Sequence, residues 1–157
     1  MDELRHDFPN MHDFIDFVEE NSLLNQLGNG AFHIPPSLLV GDPGIGKTFF
    51  LSVLLDKAKI SHSMVHMESL SGSFPLTGAS PQWKEAKSGI IFNSVINSEY
   101  ANNAIILDEV DKILRGNYSP ENSLLQFLED HTAKEFKDEF CPIKIDVSNI
   151  TWLATAN

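Results

Sequence analysis

Cysteine is almost missing from this chain. Cys141 is the single one in 157 residues, so no intrachain disulfide can form and the fold must be held by its core. The lone thiol reads as an inert, half-buried group rather than a nucleophile. Positive charge is also scarce: Lys and Arg total 11 against 22 Asp and Glu, a formal net charge of −11, and no basic cluster interrupts that acidity. The sequence therefore offers no footprint for a nucleic-acid backbone or an anionic membrane, short of a groove assembled from separate segments. Apolar runs stay far below the ~20 residues that span a bilayer, and the acidic start Met1-Asp2-Glu3 lacks the basic and apolar regions of a secretory signal. No internal repeat is visible. These absences point to a cytoplasmic protein, and an apolar content of 42% supports one domain with a real core.

Against that background one stretch stands out, Gly41-Asp42-Pro43-Gly44-Ile45-Gly46-Lys47-Thr48, with the pattern G-x-x-x-x-G-K-[ST]. The apolar run Ser37-Leu38-Leu39-Val40 before it reads as a buried strand. The run Phe49-Phe50-Leu51-Ser52-Val53-Leu54-Leu55 after it reads as a helix, which is the context a phosphate-binding loop needs. The glycines let backbone N–H groups turn inward around a phosphate, and the helix adds the positive end of its dipole. Lys47 is placed to reach the β- and γ-phosphates and the Thr48 hydroxyl to ligate Mg²⁺. A chance match to the four fixed positions arises in about one chain in a hundred of this length, so the flanking elements are what make the motif specific.

Upstream, Asn10 is a candidate cap for a helix beginning at Met11. Phe14, Ile15, Phe17, Val18, Leu24 and Leu27 form its apolar face, and Gly28-Asn29-Gly30 stops it. The Phe8-Pro9 turn is a candidate to approach the adenine, and Pro35-Pro36 gives a stiff entry to the first strand. Downstream, Ser63 to Met67 reads as a second strand. His62 and His66 share a face there without a third ligand, so two ordinary histidines are expected rather than a metal site. Ser69 to Gly89 reads as a long surface loop with a short turn or helix, containing Trp83, a large aromatic that must either tuck back or touch a partner. A helix follows from Gly89 to Asn97.

The run Ala104-Ile105-Ile106-Leu107-Asp108-Glu109 is apolar on both faces until it delivers two acids at its end. That places them at the carboxyl edge of a parallel sheet, where ligands bind in this class. Asp108 suits the Mg²⁺ shell and Glu109 suits the water that attacks a γ-phosphate; the competing reading is an acidic helix start. Ser119-Pro120-Glu121 opens another helix, Ala133 to Asp138 reads as charged and solvated, and Ile143 to Val147 alternates like an exposed strand or hairpin arm. Asn149 to Asn157 is a last buried strand, which brings Asn157 to the same edge. Strands alternating with helices argue for a parallel sheet covered on both faces, an α/β sandwich.

Three motifs in this order, the phosphate loop, the Asp108-Glu109 strand end and a strand ending in Asn157, resemble the ATPases of the AAA+ superfamily and, among them, the ATPase module of Lon proteases. The features correspond to Walker A, Walker B and sensor 1, and the resemblance covers Ser37 to Asn157. Ile106 to Lys112, Ser123 to Glu129 and Ala154-Thr155-Ala156-Asn157 carry it. It implies a three-layer α/β/α P-loop NTPase sandwich, incomplete at the C-terminus. Residues 1–36 would form an N-terminal helix and entry segment, and residues 37–157 the large subdomain before its fifth strand and lid. It also implies ATP and Mg²⁺ as cofactors, catalysis by Lys47, Glu109 and Asn157, and metal support from Thr48 and Asp108. Trp83 falls where the family has the aromatic of the central pore loop. Partners would be further copies in a hexameric ring and a protein substrate, with nucleic acid and membrane disfavoured by charge. A trans-acting arginine, a second sensor and a helical lid would belong to a longer parent. The rival readings are a clamp- or helicase-loader type ATPase and a nucleotide-dependent scaffold. Asp42, where a small residue or proline is more usual, is the departure within the loop, and upstream of Ser37 no match to Lon is evident.

Overall fold

Four strands, each too short to bury a face alone, pair in parallel to make the central sheet. The computed structural model describes residues 1–28, 32–113 and 120–157. In chain order its elements are α1 (Asp2–Asp7), α2 (His12–Gly28), β1 (Ser37–Val40), α3 (Lys47–Lys57), β2 (His62–His66), α4 (Phe74–Thr77), α5 (Ile90–Ile96) and β3 (Ala104–Asp108). There follow α6 (Pro120–Leu128), α7 (Asp130–Ala133), β4 (Phe136–Lys137), β5 (Lys144–Ile145) and β6 (Thr151–Ala156), while 3-10 turns occupy Pro9–Met11, Met67–Ser69 and Val110–Lys112. The sheet order is β1-β6-β3-β2, and β4 pairs with β5 as a separate antiparallel hairpin.

Because side chains alternate across a strand, β3 feeds two cores at once. Ile105 and Leu107 join Val65, Leu124, Phe127 and Trp152 on one face. Ala104 and Ile106 join Leu39, Phe50, Leu54 and Leu153 on the other. Helices cover both faces, as the continuous apolar runs predict for parallel strands. This is the α/β P-loop NTPase architecture.

The N-terminal segment departs from its sequence reading in three ways. A short helix, α1, precedes it; Arg5 ties that helix to α2 through Asp16 at 2.5 Å and Glu19 at 2.6 Å. Pro9 to Met11 form a 3-10 turn that runs into α2 at His12, so Asn10 does not act as the expected cap. The buried stripe includes Ile15 and Val18 but not the expected Leu24 and Leu27, which are 66% and 86% exposed. The expected stop at Gly28-Asn29-Gly30 and the Ser119 cap fall on residues outside the described set, Gly28 itself closing α2. Residues 133–138 are also not the solvated run that their charges suggest. Ala133, Phe136 and Asp138 are buried, because this stretch folds back to form β4 over Phe127.

Ile15 and Ile106 are both fully buried in the core that α2 shares with α3 and the sheet. Truncating either to alanine should cost about 2–5 kcal/mol, read as a lower urea midpoint within one cooperative transition. A silent Ile15→Ala would mean that α2 is an appendage rather than a layer of the domain.

Candidate nucleotide site

Every sheet strand ends on the same edge, and the loops that leave that edge carry the polar residues. Val40 lies opposite Ala156, His66 opposite Asp108, and Leu107 opposite Ala154. This register sets Gly41, His66, Asp108, Thr155 and Asn157 around one crevice. The Gly41 N–H donates to Ala156 O at 3.3 Å, which fixes the loop 41–48 to the end of β6.

The loop conformation depends on its glycines. Gly44 and Gly46 have φ of +80° and +89°, a backbone region that side chains with a Cβ enter only with strain. Gly46 stands at the start of α3, whose first N–H groups face the loop. Lys47 is buried to 7% exposure, and its ammonium donates to Gly41 O (2.6 Å), Asp42 O (3.0 Å) and Asn157 Oδ1 (2.9 Å). Four of the residues singled out in the sequence are thus joined in two hydrogen-bonded groups: Lys47 with Asn157, and Thr48 with Asp108.

Asp108 is the more heavily engaged. The Thr48 hydroxyl donates to its Oδ1 in a short contact, the Thr155 hydroxyl donates to the same oxygen at 2.8 Å, and His66 Nδ1 lies 3.1 Å from Oδ2. Burial alone would raise the carboxyl's pKa, but the bonds from Thr48, Thr155 and His66 together outweigh it and hold Asp108 below the usual carboxylate range. A hydroxyl beside an ionised carboxylate at a loop lysine is a hard-oxygen donor set of the kind Mg²⁺ takes, so the residues present fit that ion.

Glu109 follows in the left-handed region, at φ 58° and ψ 53°. Its N–H donates to Thr155 Oγ1 at 3.0 Å, while its carboxylate accepts from Lys112 Nζ at 2.5 Å. Its described side-chain partner is therefore Lys112 rather than the Lys47 and Asp108 groups. Trp83 is 73% exposed on its own loop.

Three contributors escaped the sequence reading. Thr155 hydrogen-bonds both acids, His66 reaches Asp108 from the neighbouring strand, and Asn10 Nδ2 donates to Ile45 O at 3.1 Å, buttressing the loop. The one signal for His66 and Thr155 was their position near strand ends; the local pattern marked Asn10 as a helix cap, not as a support of the loop. Beside the loop a cavity of about 340 Å³ is walled by Asn10, Met11, Phe14, Leu38, Ile45 and Lys47, among others. It is large enough for a base. Phe8, in the turn that was a candidate to approach the adenine, packs its ring on Phe49 and Phe50 at 5.8 and 5.2 Å, and Asn10 and Met11 just after it line this cavity.

The family model for ATPases associated with various cellular activities (AAA) matches residues 37–157. The chain belongs to the AAA family. It is similar to a Lon protease of Metamycoplasma arthritidis, 26% identical over a 148-residue match that covers 90% of this chain and 18% of that protein. Lon protease 2 of Borreliella burgdorferi is 30% identical over 82% of this chain and 16% of its own length. A Lon protease of Chlamydia trachomatis is 32% identical over 76% and 15%. The chain therefore spans less than a fifth of the length of these relatives and is a Lon-like AAA module. The 90% match is longer than residues 37–157, so it reaches into the N-terminal segment, where the sequence alone shows no correspondence.

Thr155→Val keeps the shape and removes the hydroxyl. A carbon-detected NMR titration should then show the Asp108 midpoint moving up from its depressed position. The sign for stability follows: a depressed folded pKa contributes stability above the unfolded value of ~3.9, lost as pH falls through the folded value. The Thr155→Val protein should lose that contribution at a higher pH on acid titration than the native chain. An unmoved midpoint would mean that Thr155 does not hold the carboxylate.

Proposed function

We propose that this chain is the ATP-binding and ATP-hydrolysing core of a Lon-like motor that remodels or unfolds protein. The observation that carries the reading is the meeting of Lys47 with Asn157 and of Thr48 with Asp108 at the carboxyl edge of the sheet. In this reading residues 41–48 wrap the phosphates with their N–H groups, and Lys47 gives up its carbonyl partners to pair with phosphate oxygens. Thr48 and Asp108 hold the metal, which supplies charge neutralisation on the phosphates when bound. Glu109 takes the proton of the attacking water after releasing Lys112, and Asn157 orients that water. The cavity beside Asn10 and Phe14 receives the base. The chain's strong negative charge supports a protein substrate over a nucleic acid.

Trp83 is assigned to polypeptide contact. A tryptophan 73% exposed at the tip of a structured loop is better explained by a partner than by packing. Further copies in a ring would bring several such loops together, in a cytoplasmic setting.

Three measurements test this. Lys47→Ala should weaken binding of a fluorescent ATP analogue at least about tenfold, from the loss of charge-assisted phosphate bonds. Glu109→Gln should keep binding and lose turnover, in the isolated chain or in any longer assembly that contains it. Steady-state hydrolysis by the isolated chain should be slow, because in the ring reading a neighbouring subunit supplies a cation to the site. Brisk turnover of the chain alone, abolished by Glu109→Gln, would show that no such cation is needed. Trp83→Ala should abolish binding of an unfolded polypeptide while nucleotide affinity stays at its native value.

A further inference from the structure

The loop between Gly78 and Gly89 is closed at its neck by the Ala79 N–H donating to Lys87 O at 3.0 Å, and turns at Ser80 to Trp83 and Trp83 to Ala86 shape its tip. At its base sits Asp138, a carboxylate with no solvent exposure. Its Oδ2 accepts from the Gly89 N–H at 2.7 Å. Its Oδ1 accepts from the Phe140 and Cys141 N–H groups at 2.9 and 3.0 Å. The Glu139 N–H adds a backbone bond to Thr77 O at 2.8 Å. Two glycines make this approach possible: a Cβ on Gly78 would lie 2.5 Å from Asp138 Oδ1, and one on Gly89 would lie 2.1 Å from Leu76 O.

The other side of Asp138 is equally anchored. It follows β4, where Phe136 packs edge-on against Phe127 at 5.0 Å, and Phe127 stacks on Trp152 of β6 at 5.8 Å. That strand ends one residue before Asn157. One buried side chain therefore stands between the Trp83 loop and an aromatic column rooted in the strand that leads to the nucleotide crevice.

We propose that Asp138 is a positioning residue that locks the Trp83 loop to the β4–β5 hairpin, so that the two segments open only together. A buried carboxylate shared by three N–H donors resists losing one of them, because the charge left behind is under-satisfied and dry. The loop then acts as a lever whose base is held by β4 and, through Phe127 and Trp152, by β6. It is not a free flap. The functional consequence rests on the reading of Trp83 as a polypeptide contact; the lock itself does not.

Residue-resolved amide exchange on the whole chain tests it. In the native chain Gly89, Phe140 and Cys141 should report one common opening equilibrium, and three separate values would overturn the proposal without any variant. Asp138→Asn keeps the volume but turns one arm of the lock from acceptor to donor. All three amides should exchange about tenfold faster or more, with the Leu51 and Leu153 amides unchanged. Faster exchange at Gly89 alone, or at none of the three, would sink the lock. The same variant should weaken unfolded-polypeptide binding while ATP affinity holds. If Trp83→Ala leaves polypeptide binding intact while the three amides still open together, the lock stands and the assignment of Trp83 falls.

Discussion

The Asp108 carboxylate is where the site and the fold become one structure. It terminates β3, one of the two inner strands of the sheet, and takes hydrogen bonds from α3 through Thr48, from β6 through Thr155 and from β2 through His66. A half-buried acid is unfavourable unless its charge is met, and here three elements meet it. The cores and the strand register set where those elements lie, and one ionised group ties their polar ends together. The same group is suited to metal, so order in the crevice and capacity to bind follow from a single constraint.

Around that acid the backbone is arranged to aim polar groups outward from an apolar sheet. Thr155 accepts from the Glu109 N–H and donates to Asp108, so a single hydroxyl sits between two acids with different tasks. Glu109 occupies the left-handed region, which a non-glycine residue adopts at a cost, and the Thr155 bond helps hold it there. On the loop side Lys47 is held by two carbonyls and by Asn157, which keeps a buried ammonium hydrogen-bonded. The Lys112 partner of Glu109 offers a ready exchange, since a surface pair of this kind is worth little and is given up easily.

Much of this was legible in the residues because the signals are local. The glycine loop requires positive φ at Gly44 and Gly46, and only glycine spells that cheaply. The run Ala104 to Leu107 is apolar at every position because both faces of β3 are covered. Other features were illegible for an equally physical reason. Leu24 and Leu27 continue the helical period of α2, yet they lie past the part of the helix that joins the core through Ile15 and Val18. Residues 133–138 look solvated by composition, but Asp138 is buried because the Gly89 N–H arrives from a distant segment to join two N–H groups of its own turn in satisfying it.

Sequence alone determined the strand, loop and helix around Lys47, the buried strands that end at Asp108 and Asn157, and hence an α/β nucleotide-binding module, since each depends on spacing within a few residues. Tertiary structure decided the neighbours: His66 and Thr155 on Asp108, Asn10 behind Ile45, Asp138 beneath the Trp83 loop. Those contacts join residues from 35 to 49 positions apart and longer, as in the 110 between Lys47 and Asn157. No local pattern encodes such a pairing. It is created by strand order and register, which are set when two apolar faces of one sheet are buried together.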